Sequence, residues 1–175
     1  WGLDFATLKE WDMDEPSHKR YLNDFFTGKH PGSDSRGELY NDDPVTQDAR
    51  FCGTTASMCG IEAALFEKDD EKLKRGIRED LMLHAYMLVQ SGIPMLYSDE
   101  IGRLNDYSYK EDPDKAADSR YIHRGAFQWE LAGKRNSKSS VEGQIFQTLS
   151  RMEQIRSQES VFDKDCDVYT YDVHD

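Results

Sequence analysis

Gly92-Ile93-Pro94-Met95-Leu96-Tyr97 is the run on which the reading of this chain turns, a short apolar stretch lying after a long amphipathic segment and before a long polar one. Its brevity and unbroken apolar character suit a strand of a parallel sheet covered on both faces. Before it, a helix from Glu71 places Leu73, Ile77, Leu81, His84 and Leu88 on one face and leaves Lys72, Arg75 and Glu79 in water, with Asp69 and Asp70 as caps. The latter half of that helix is apolar nearly all round, and Gly92 reads as its stop. His84, on the buried face, reads as a hydrogen-bonded core residue. Upstream again, Met58, Ile61, Ala64 and Leu65 predict a helix from Thr54 to about Asp69-Asp70. Downstream, Ser98 to about Asn136 reads as one long loop that opens on Asp99 and Glu100. Helix, glycine, buried strand, long loop, helix is the order of an α/β architecture.

The outer parts of the chain extend this pattern. Ser17 to Thr27 reads as a short helix with Tyr21, Leu22, Phe25 and Phe26 on one face and Gly28 as its stop. Lys29 to Arg50 is rich in Gly, Pro, Asp and Asn, and a loop of that length in a compact body is a place to look for function. Ser140 to Ser157 is helical by Ile145, Leu149, Met152 and Ile155. Val168 to Val173 alternates as a strand does, with nothing after it to pair with, so the sequence predicts a truncated end.

Composition bounds the function classes. The 175 residues carry 34 acidic against 22 basic side chains, a formal net charge of -12 that repels phosphate backbones and anionic lipid, so neither nucleic acid nor a membrane is expected as partner. The apolar fraction of 37% is short of a usual core. No run is long enough to span a bilayer and no leader is visible. Cys52, Cys59 and Cys166 have neither CxxC spacing nor a His pair beside them, and read as reduced thiols, mostly buried; the compartment stays open, with the cytoplasm favoured. The run Glu111-Asp112-Pro113-Asp114 lacks the order of oxygen ligands of a calcium loop, so no metal and no cofactor is expected.

Three segments carry a resemblance to a known family. They are His18-Lys19-Arg20-Tyr21-Leu22-Asn23-Asp24-Phe25-Phe26, then Asp48-Ala49-Arg50-Phe51-Cys52-Gly53-Thr54-Thr55-Ala56, and then Gly92 through Asp106 (Gly-Ile-Pro-Met-Leu-Tyr-Ser-Asp-Glu-Ile-Gly-Arg-Leu-Asn-Asp) followed by Asp118-Ser119-Arg120-Tyr121-Ile122-His123-Arg124. Together, in this order, they resemble the amylosucrases, sucrose-using transglucosylases of the α-amylase superfamily. The paired Leu-Asn-Asp and Asp-Ser-Arg signals are what narrow the superfamily to its sucrose-active branch.

The resemblance implies an α/β fold, the C-terminal fragment of a TIM (β/α)8 barrel with long βα loops and the start of a C-terminal β-domain. It divides the chain into residues 1–53, a loop region after barrel strand 7; residues 54–160, the last barrel helices, strand 8 and its loop; and residues 161–175, the start of a truncated β-domain. It also implies that the chain begins just after the His-Asp pair of the seventh strand. The aspartate nucleophile and glutamate acid/base of a retaining mechanism, which stand about 5–5.5 Å apart, are then expected outside it. Asp99 and Glu100 do not replace them, because adjacent residues of an extended segment point opposite ways.

What the chain is expected to contribute is substrate binding. By resemblance Arg120 reaches the glucosyl pocket, Arg50 contacts the acceptor subsite with Asp48 orienting it, and Lys19 stands where the family has an arginine at an outer subsite, a point charge in place of a planar fork. The bland alternative for Arg120 is a loop arginine paired with Asp118 on the surface. The function implied is transfer of glucose from sucrose to an α-glucan with release of fructose. A sucrose hydrolase or another glycosidase of the superfamily, and a non-catalytic carbohydrate-binding or interaction protein, stay open beside it.

Overall fold

The computed structural model describes residues 24–25, 27–40, 50–96 and 105–169. Its body is helical. Thr54 caps α1 (Thr55–Met58), its hydroxyl accepting from the Ser57 amide at 3.1 Å. A second helix, α2 (Ile61–Glu67), starts after Gly60, and α3 (Asp70–Leu88) starts after Asp69, whose carboxylate accepts from the Glu71 and Lys72 amides at 3.1 and 2.9 Å. Asp70 and Glu71 then lie in the first turn, where the helix dipole favours negative charge. After a short α4 (Trp129–Gly133), α5 (Val141–Gln158) is capped by Ser140, whose hydroxyl accepts from the Gly143 amide at 2.9 Å.

The core lies where α3 and α5 pack on each other and on the α1–α2 pair. Ala56, Ile61, Ile77, Ile145 and Leu149 are buried together, with Leu73, Leu81, Val141 and Met152 packed against them. His84 is buried, as the sequence predicts, and its Nδ1 lies 2.8 Å from the Asp80 carbonyl, which can only accept, so this nitrogen carries the proton. Two glycines admit close approaches. Gly60 has φ +76, and a Cβ there would stand 2.8 Å from Asp34 Cβ; a Cβ on Gly143 would meet the Ser137 carbonyl oxygen at 1.7 Å. Gly60 also breaks the single helix expected from Thr54 to Asp69-Asp70 into two, because its left-handed backbone cannot continue α1.

The expected barrel fragment is not found. Among the described residues the strands are β1 (Glu38–Tyr40) and β2 (Arg50–Cys52), an antiparallel pair with Leu39 opposite Phe51, and there is no parallel pair and no barrel. Residues 93–96 are irregular, with Ile93 83% and Met95 68% exposed. The backbone hydrogen bonds show why. The Gly92 amide donates to the Lys164 carbonyl at 2.7 Å, and its carbonyl accepts from Arg156 Nη2 at 2.7 Å, so the segment is tied to the end of α5 and not to a sheet neighbour. Pro94 lacks an N–H for any ladder. Nor is Gly92 the helix stop; α3 ends at Leu88 with Val89 as its cap.

The α/β fold class with a TIM-barrel fragment and the start of a β-domain is therefore corrected to a mostly helical body with one small hairpin. At the far end Ser160–Phe162 is a 3-10 turn, and Val168 and Tyr169 are not in a strand. The rest of that expected strand, and most of the expected Ser17–Thr27 helix, lie outside the described residues; of that helix Asp24, Phe25 and Thr27 are described, and Asp24 and Phe25 are helical. The expected long loop is also partly built, with 3-10 turns at Ser108–Glu111, Ser119–His123 and Lys134–Asn136 around α4. Of the cysteines only Cys52 is buried; all three are free thiols.

Candidate functional site

The hairpin and the 3-10 turn Ser119–His123 form a second packing centre, apart from the helical core. Both strands contact the turn. Cys52 from β2, Tyr109 and Ile122 are buried together, with Tyr107 and Tyr121 against them, and the Ser119 hydroxyl donates to the Leu39 carbonyl at 2.8 Å. Burial pushes the Cys52 thiol up from its ordinary range.

Asp118 starts the turn. Its carboxylate accepts from the Arg120 amide at 3.0 Å, as an N-cap does, and from the same residue's Nε at 2.8 Å and Nη2 at 2.6 Å. This fork holds the Asp118 carboxyl down at about 2. The Arg120 side chain is 40% exposed, so the pairing has the geometry of the bland reading, a surface loop pair. Beside it, two cations lie over the Tyr121 ring, Lys115 Nζ 5.9 Å and Arg124 Cζ 5.8 Å from its centroid.

Next to the turn is an open cleft of about 440 Å3 lined by Glu38, Leu39, Tyr109, Lys110 and Ser119. The Glu38 carboxylate accepts from the Tyr109 hydroxyl at 3.0 Å and pairs with the Lys110 ammonium. Burial, then the bond to Glu38, pushes the Tyr109 hydroxyl up, so it stays protonated and donates. The cleft thus presents a carboxylate, an ammonium and two hydroxyls, each bonded within the chain.

The predicted site residues fare unequally. Arg120 sits in the turn as described, and Arg50 opens β2 opposite Tyr40, on a strand that contacts that turn. Asp48, Lys19, Asp99 and Glu100 lie outside the described residues. Parts of two of the segments that carry the resemblance nevertheless meet. The Asp106 amide donates to the Ile122 carbonyl at 2.8 Å, joining the Leu-Asn-Asp stretch to the Asp-Ser-Arg stretch, and a Cβ on Gly53 would stand 3.6 Å from Asn105 Nδ2.

One polar centre was missed from sequence. Glu62 on α2 is buried and accepts from the Asn105 amide at 2.5 Å, Asn105 Nδ2 at 3.5 Å and the Tyr107 hydroxyl at 3.3 Å. Burial raises its carboxyl above the usual range, and these bonds and the charge of Arg36 offset part of that. The Arg36 guanidinium stacks on the Tyr107 and Phe66 rings, 5.3 and 5.4 Å from their centroids. No local signal marked this centre, since Gly60 separates α2 from the helix that carries Met58 and the partners of Glu62 come from more than forty residues away.

Among the described residues no group of His, Cys, Asp or Glu side chains could hold a metal ion, and no helix is long and apolar enough to cross a membrane. No protein-family model matches the chain.

Proposed function

We propose that this chain supplies carbohydrate-binding residues of a sucrose-using α-glucosyltransferase of the amylosucrase kind, with sucrose and an α-glucan as its ligands. The observation that supports this is the meeting of segments far apart in sequence, Arg50–Gly53, Asn105–Asp106 and Asp118–Arg124, around one hairpin beside a polar cleft. These belong to two of the three segments on which the resemblance rests; the first lies mostly outside the described residues. In this reading Asp118 fixes the plane of the Arg120 guanidinium, and a fork so fixed can donate to vicinal sugar hydroxyls. Arg50, oriented by Asp48, serves the acceptor side and Lys19 an outer subsite. No carboxylate of this chain is assigned a catalytic role.

Backbone amide spectra recorded while the chain is titrated with sucrose, and separately with a maltooligosaccharide, test the proposal. Shifts are expected in residues 50–53, 105–110 and 118–124. Arg120→Ala should weaken sucrose binding by about tenfold or more, the loss of a charge-assisted hydrogen bond, and Arg124→Ala should leave it near its original value. Shifts absent from this cluster, or equal effects of the two substitutions, would remove the assignment.

A further inference from the structure

A second open cleft, of about 400 Å3, lies between α3 and the first turns of α5, on elements remote from the hairpin. Its rim carries Lys74 and Arg78 from α3 and Lys138 from the turn before α5, with Gln144 beside them and Ile77 and Leu81 as its floor. No carboxylate lines it, although acidic side chains outnumber basic ones 34 to 22 in the chain. Lys74 and Arg78 stand four residues apart on one helix, where like charges repel. Lys74 is paired with Glu71, itself 84% exposed, and among the described residues no carboxylate pairs with Arg78 or Lys138. Gly143 and Gln144 of α5 line the same space, their backbone amides already bonded to the Ser140 hydroxyl and carbonyl.

We propose that this cleft binds a phosphate monoester or free phosphate. A dianion with three oxygens can engage Lys74, Arg78 and Lys138 together and relieve their mutual repulsion, whereas a carboxylate has one charge to share among three cations. The Thr148 hydroxyl on the wall already donates to the Gln144 carbonyl at 2.8 Å, so the charged groups and the Gln144 side-chain amide are left to do the recognition. Leu81, partly exposed above the buried Ile77, gives the organic part of a monoester an apolar contact, which free phosphate cannot use. The site stands independently of the sugar-binding proposal.

Titration calorimetry and amide spectra with inorganic phosphate, a hexose phosphate and the unphosphorylated hexose, at ionic strength held constant with sodium chloride, provide the test. Both phosphorylated probes are expected to bind and to shift residues 74–81 and 138–148, with the hexose phosphate the tighter; equal affinities would assign the site to free phosphate. The double substitution Arg78→Gln, Lys138→Gln should weaken binding by at least about tenfold, while Arg78→Lys, which keeps the charge, and Lys164→Gln, at an exposed position elsewhere, should retain it. Binding no stronger than that of chloride, or unchanged in the double variant with its amide spectrum otherwise preserved, would overturn the proposal.

Discussion

Arg120 and Asp118 form the smallest unit that can be tested by itself. The guanidinium holds the carboxyl at about 2, below its ordinary value of roughly 3.9, so the pairing is fully present above that ordinary value and is lost as pH falls through about 2. Carbon-detected titration of the Asp118 carboxyl should show that midpoint in the native chain and a return towards roughly 3.9 in Arg120→Ala. An unchanged midpoint would mean that the fork does not persist in solution. Cys52 gives a second measurement at this scale. Buried, with its thiol pushed up, it should react with an alkylating reagent much more slowly than half-buried Cys166, as peptide mass mapping after brief exposure would show.

Elements are held by devices at their ends as much as by their faces. Arg156 of α5 donates to the carbonyls of Leu88, Gln90 and Gly92, satisfying groups that α3 leaves open at its C-terminus. Arg156→Ala should cost roughly 1–3 kcal/mol, read as a lower urea midpoint, with hydrogen exchange quickening first over residues 88–92. Gly143→Ala puts a methyl group 1.7 Å from the Ser137 carbonyl oxygen, so the turn before α5 must move. A loss of about 1–3 kcal/mol is expected, larger than for an ordinary helical glycine, where alanine would stabilise. The start of α3 and both ends of α5 were legible in the sequence to within one residue, because caps and apolar periodicity are local signals, whereas the end of α3, expected at Gly92, falls at Leu88. The break at Gly60 was not, since the same apolar residues fit one helix or two and the approach of Asp34 decides between them.

At the scale of the whole molecule, Glu62 couples the helical core to the hairpin and its turns. Glu62→Ala leaves the Asn105 amide without its acceptor and should cost about 1–3 kcal/mol. The carboxyl is raised by burial, so its contribution favours folding below the ordinary glutamate range, roughly 4.3, and is lost as pH rises through the raised value. Glu62→Gln should therefore flatten the dependence of the urea midpoint on pH above that range while keeping one acceptor for Asn105. A pH profile parallel to that of the native chain would show that Glu62 does not titrate as a buried group.

By itself the sequence determined the elements whose causes are near in the chain: the Asp69 cap and buried stripe of α3, the Ile145-Leu149 face of α5, the start of α1 at Thr54, and the core position of His84. Only the tertiary structure decided what depends on distant partners. Ile93 to Leu96 has the composition of a buried strand, but a strand exists only where another offers its backbone, and here the partners of Gly92 are Lys164 and Arg156 at the end of α5. For the same reason the sequence could name Arg50 and Arg120 separately, whereas their strand and turn are brought together by packing of Cys52, Tyr109 and Ile122. Burial of Glu62 likewise follows from the arrival of Asn105 and Tyr107 more than forty residues later in the chain, which no local pattern around position 62 records.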